Sequence, residues 1–88
     1  MKENEYPEIG RFYEYHKGGI FEIISLGYDT NTEEEVVIFK SREFGTMFVR
    51  PVKEWFVEVD GMIKVPNFSS MSYEEKEGKI PRYKLCKL

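Results

Sequence analysis

Alanine is absent from this chain and leucine occurs only three times, so the two strongest helix formers are nearly missing. Cysteine occurs once, as Cys86, which excludes an intramolecular disulfide and fits a reducing compartment. Histidine also occurs once, as His16. A metal centre needs about three or four converging ligands, so one imidazole and one distant thiol predict no metal and no cofactor. A strong charge of one sign is lacking as well. The net charge is −3, which argues against a general nucleic-acid binder with a basic face. No apolar run approaches the roughly 18 residues of a membrane span. Residues 1–10 hold no apolar segment of the secretory kind, so no membrane partner is expected and cytoplasm is the expected location.

What is present points one way. Seven Phe, six Tyr, one Trp, seven Val and seven Ile supply the apolar content, and all of these types favour strands. Eighty-eight residues make one domain. A chain of this length buries only about 60–65% of its unfolded surface, so the core is small.

The residues place the expected elements as follows. Residues 1–8 are polar and contain Pro7, which predicts a loose arm. RFYEYH (11–16) predicts a strand with Tyr13 and Tyr15 on one face and Phe12 and Glu14 on the other. Gly18 and Gly19 predict a tight turn. IFEIISLGY (20–28) predicts a strand with Phe21 and Ile23 opposite Glu22, Ile24 and Leu26, and with Gly27 as a bulge. DTNTEEE (29–35) is a polar connection. VVIFK (36–40) is apolar on both faces and predicts a central strand, and MFVR (47–50) predicts the next. Pro51 cannot continue a central ladder, so PVKEWF predicts one helical turn with Pro51 at its first position. FVEV and MIKV predict a hairpin about Asp60-Gly61. Ser72 and Glu75 have capping-box spacing and Gly78 stands where a helix would stop, so YEEKE predicts a short helix. KIPRY (79–83) weakly echoes KVPNF (64–68). The tail either stays disordered or lays Ile80, Tyr83 and Leu85 on the body.

The expected fold is therefore mainly β: a small barrel of five or six short antiparallel strands with one helical turn and a tail. The organisation is an arm at 1–9, a barrel at 10–68 and an extension at 69–88. That extension is locally basic, with five Lys/Arg against three Glu. It is either a solvated tail or a site for an acidic partner.

The segments GRFYEYHKGGIFEI, TNTEEEVVIF, FVRPVKEWF and VDGMIKVPNF together resemble a small bacterial family called domain of unknown function 1653. Gly10, Tyr13, Lys17, Gly18, Phe21, Ile23, Thr32, Glu35, Val37, Phe39, Val49, Arg50, Pro51 and Trp55 carry the match. The resemblance implies an SH3-like barrel and assigns no activity. The family pattern has His where this chain has Tyr15, His where it has Asp29, and Glu where it has Asn31.

Catalytic constellations are wanting. Cys86 has no partner base, and Glu33, Glu34 and Glu35 read as a solvated turn. HKGGIF has the wrong spacing for a phosphate loop. An enzyme would have to use His16, Asp29 and Arg50. The expectation is a non-catalytic binding or adaptor module in the bacterial cytoplasm. Tyr13, Tyr15, His16, Lys17, Arg50 and Trp55 would form its aromatic and cationic surface, for a protein, a peptide or a small anionic ligand. The alternatives are single-stranded nucleic-acid binding, which the charge disfavours, and an accessory subunit of an enzyme. Tyr13 and Trp55 could instead belong to the core, with Arg50 held by an acid such as Glu35.

Overall fold

Strand-favouring residues dominate the architecture of residues 5–87, which the computed structural model describes. Seven strands and one helical turn follow in order: β1 (Phe12–Tyr15), β2 (Ile20–Asp29), β3 (Glu34–Ser41), β4 (Met47–Pro51), α1 (Val52–Trp55), β5 (Glu58–Asn67), β6 (Ser72–Pro81) and β7 (Tyr83–Leu85). They form a five-stranded antiparallel sheet in the order β4-β3-β2-β1-β7 and a separate two-stranded sheet of β5 and β6. β3 pairs with β4 on one edge and β2 on the other, and Val36, Val37 and Phe39 on it are buried.

The turn between β1 and β2 is built on two glycines. Gly18 and Gly19 have φ of 102° and 94°, a region L side chains avoid. The Gly18 N–H donates to the Tyr15 carbonyl at 2.8 Å, so His16 and Lys17 stand at the apex. β2 does bulge, but at Ile24 and not at Gly27: pairing jumps from Ile23 opposite Phe39 to Ser25 opposite Ile38. The extra residue reverses the alternation. Leu26 consequently joins Phe21 and Ile23 against the core, where strict alternation would have put it on the other face. Asp29 closes the next connection by accepting the Asn31 N–H at 2.9 Å.

Pro51 ends β4 opposite Val36 and serves as the N-cap of α1, one place ahead of the expected position. β4 is an edge strand, so the missing N–H of Pro51 costs no ladder bond. The short turn swings Trp55 under the sheet, where it is 0% exposed. Its indole stacks on Tyr83 at 3.7 Å between centroids with planes 2° apart. Tyr13 and Phe39 meet the same indole edge-on, at 5.6 and 4.9 Å. Ile23 and Val37 complete the buried cluster.

The sheet does not close into a barrel. Its edges, β4 and β7, share no ladder and meet only through side chains, with the Arg50 Nε donating to the Tyr83 hydroxyl at 3.1 Å. The reason lies after Phe56. The hairpin expected about Asp60-Gly61 is a straight strand, and the segment expected as a helix is its partner. One turn of YEEKE pays the full cost of helix nucleation for very few bonds. As a strand it sets Glu75 opposite Lys64 and Lys79 opposite Asp60, with a Lys79 Nζ to Asp60 Oδ1 contact of 2.6 Å. Gly61 faces Gly78. A Cβ on Gly78 would come within 2.7 Å of the Ile63 Cδ1, and one on Gly61 would run into Ile80. The two glycines thus leave room for two isoleucines, and neither makes a turn.

The hairpin of β5 and β6 extends away from the five-stranded body. The radius of gyration is 16.0 Å, against about 12 Å for a compact chain of this length. The division at residue 68 therefore falls in the hairpin tip, and β7 from the expected extension is the fifth strand of the main sheet. The arm is not loose where it is described. Pro7 is buried, the Tyr6 hydroxyl donates to Glu35 at 2.7 Å, and the Glu8 N–H donates to the Tyr13 hydroxyl at 3.2 Å. Residues 1–4 of the expected arm lie outside the described residues.

Trp55→Ala is expected to lower stability by about 3–5 kcal/mol, a large part of the ~5–15 kcal/mol a domain has. Val49→Ala, at a position 64% exposed, should cost under ~0.5 kcal/mol. Urea unfolding followed by circular dichroism reads both. Equal midpoints for the two variants would contradict the placement of Trp55.

Candidate functional site

The aromatic and cationic residues expected on one surface are divided between two places. Tyr13 is 4% exposed and Trp55 is fully buried, so both are core and neither meets a ligand. Arg50 stands opposite Val37 on the inward face of β4. Its guanidinium is held from within the chain: Nε donates to Tyr83, and NH1 lies 3.2 Å from Oε1 of Glu54, one helical turn later. The expected partner, Glu35, instead accepts from Tyr6. Burial pushes the Tyr83 phenol up, with Arg50 opposing that rise, so the hydroxyl remains protonated as it accepts the Arg50 bond.

Tyr15, His16 and Lys17 remain near the surface at the β1–β2 turn. The Tyr15 ring stacks tilted on Tyr83 at 5.0 Å and meets the His16 ring edge-on at 4.6 Å. β7 runs beside β1 with Tyr15 opposite Tyr83 and Glu14 opposite Lys84. Alternation then gives Glu14 and Lys84 the outward face while Tyr15 and Tyr83 face in. The His16 N–H donates to the Arg82 carbonyl at 2.9 Å, which carries the two strands one step further and brings Arg82 to the same end.

A recess of 410 Å³ opens here, lined by Glu14, Tyr15, His16, Gly18, Ile80, Pro81 and Lys84. Its floor is the β1–β2 turn and its wall is the base of the hairpin. The lining itself carries one acid, Glu14, and one base, Lys84, and further cations act on His16. Desolvation lowers the His16 pKa, and Lys17, Arg82 and Arg50 lower it further. The Arg82 Nε is buried with no hydrogen-bond partner, and Arg82 does not itself line the recess. Glu14 is the one acid on the lining, and it separates this recess from a second one of 520 Å³ flanked by Arg42 and Glu43.

Arg82, Tyr83 and Lys84 were not among the expected site residues. Their signal was the alternation of two cations about a tyrosine, which marks a strand with one inward aromatic and a charged outer face. Among the described residues, no group of three His, Cys, Asp or Glu side chains is placed to hold a metal. No helix among them is long and apolar enough to cross a membrane. A family model described as "Protein of unknown function (DUF1653)" matches residues 11–70. No curated protein and no solved structure matches the chain.

The depressed pKa has a consequence for stability. The folded imidazole takes up its proton below the ordinary 6.5, so folding is favoured above that pH and the contribution fades as pH falls through 6.5 toward the folded value. His16 is the sole imidazole, so its ring protons give one clean NMR titration. The midpoint is expected below 6.5 and should rise in Arg82→Gln. A wild-type midpoint at or above 6.5 would sink the positive-field assignment.

Proposed function

The chain belongs to the DUF1653 family, and on that premise we propose that it is a non-catalytic binding module whose recess beside the β1–β2 turn receives the acidic group of a peptide or another small anionic ligand. The observation that carries this reading is the convergence of cations on His16. Lys17 comes from the turn, Arg82 from the link into β7 and Arg50 from β4, and all three act on one half-exposed imidazole. Arg50 already has Glu54, so Lys17, Arg82 and the Lys84 of the recess lining are the cations that an anion would neutralise. The Tyr15 ring adds an apolar wall to the recess, and Lys84 adds a cation to its lining. Neutral His16 can donate or accept with the nitrogen it presents.

We further infer a cytoplasmic setting and an adaptor role, because one cysteine fits a reducing compartment and no catalytic set accompanies His16. An open, SH3-like half-barrel is the architecture we assign to the body: one curled sheet wraps Trp55 and its edges approach through Arg50 and Tyr83. The net charge of −3 sets nucleic acid behind an acidic peptide as a partner.

Backbone NMR of the full chain tests the reading with oligoglutamate peptide, inorganic phosphate and single-stranded oligothymidine as probes. Oligoglutamate or phosphate should shift the amides of Tyr15, His16, Gly18 and Lys84, and Lys84→Gln should weaken that binding roughly two- to fivefold. Shifts confined to other residues, or equal affinity in the variant, would remove the recess from function. Binding by oligothymidine alone, falling steeply with salt, would favour the nucleic-acid alternative.

A further inference from the structure

The hairpin of β5 and β6 is the least supported part of the fold. A two-stranded ribbon is at best marginally stable in water, and three or more strands are the usual minimum. Yet this one runs ten residues on each strand and stands apart from the main sheet. β5 alternates Val59, Gly61, Ile63 and Val65 along one face, and its outer edge pairs with nothing among the described residues. A ten-residue edge left unpaired is a template for another strand, and because it carries Glu58, Asp60 and Lys64 it accepts only a strand whose charges match.

We propose that this edge of β5 pairs antiparallel with the same edge of a second copy of the chain, giving a four-stranded sheet in the order β6-β5-β5-β6. A two-fold axis perpendicular to the sheet preserves its faces, so it must pass through a residue facing its own copy. Centred on Gly61, the pairing sets Val59 opposite Ile63 of the second copy, and Glu58 opposite its Lys64. Each of these contacts occurs twice by symmetry. Glu58 and Lys64 form no salt bridge within the protomer among the described residues. No like charges meet in this register. Centring on Asp60 would oppose Asp60 to itself, and centring on Met62 would put Glu58 opposite Pro66. Centring on Met62 would also set Asp60 opposite Lys64, but Asp60 is already bonded to Lys79 within the protomer, so the Gly61 register is the one that joins charges without a partner of their own. The edges left over belong to β6, whose Glu74, Glu75, Lys76, Glu77 and Lys79 discourage further growth.

The test is the oligomeric state of the full chain by analytical ultracentrifugation. The wild type should reach twice 10.5 kDa. Glu58→Lys sets like charges together in both symmetric pairs, and so does Lys64→Glu. Each should raise the dissociation constant about tenfold or more. Both positions are exposed, and circular dichroism checks that the variants stay folded. Mixing the two variants restores opposite charges at both contacts, so the mixture should form a heterodimer about as tight as the wild type. A wild type that remains monomeric at every concentration overturns the proposal. So do single variants that dimerise as tightly as the wild type, or a mixture no tighter than either alone.

Discussion

The stack of Trp55 on Tyr83 joins two parts of the chain that have little else in common. Trp55 reaches the core because Pro51 stops β4 and the turn of α1 redirects the backbone. Tyr83 reaches it because β7 adds to the free edge of β1. Their rings lie parallel at 3.7 Å, with Tyr13 and Phe39 packed edge-on around the indole. Aromatic pairs add about 0.5–1.5 kcal/mol each beyond the area they bury, and a small core depends heavily on such contacts. The match to the family model ends at residue 70, so half of this stack comes from outside the matched span.

The same stack organises the recess. Tyr83 is held by Arg50 from one edge of the sheet and by Tyr15 from the other. Once Tyr83 is fixed, its neighbours Arg82 and Lys84 project on the far side of β7, next to the turn that carries His16 and Lys17. Arg50 thus has one role that is architectural, through Glu54 and Tyr83, and one that is electrostatic, through its effect on His16. Guanidinium groups suit both, because their charge persists while the fork is bonded.

The hairpin follows a different logic. Its stability comes from its own ladder and from the interlock of Ile63 and Ile80 over two facing glycines, to which the exposed Asp60–Lys79 pair adds little. It contributes Ile80 and Pro81 to the recess wall and leaves its other side open. The elongation of the molecule comes from this element, which leaves the compact part of the chain to the body alone.

Much of the body could be read in advance. Val36 to Lys40 are apolar on both faces and lie in a central strand, Gly18 and Gly19 turn the chain, and Pro51 ends a strand before a turn that buries Trp55. Those features are local, since they follow from side-chain periodicity and from allowed backbone angles within a few residues. What local rules could not supply was pairing. Ser72 and Glu75 carry a helix-start signal, and Asp60-Gly61 carries a turn signal, yet each gave way to a strand partner many residues off. The bulge at Ile24 likewise moved Leu26 to the core face, through a register set by β3. The site divided along the same line. Tyr15, His16 and Lys17 were visible as one short motif, while Arg82 and Lys84 joined them only through the ladder of β1 and β7. Backbone hydrogen bonds and the burial of Trp55 and Tyr83 are non-local, and those two terms decided which of the legible segments became core, edge and recess.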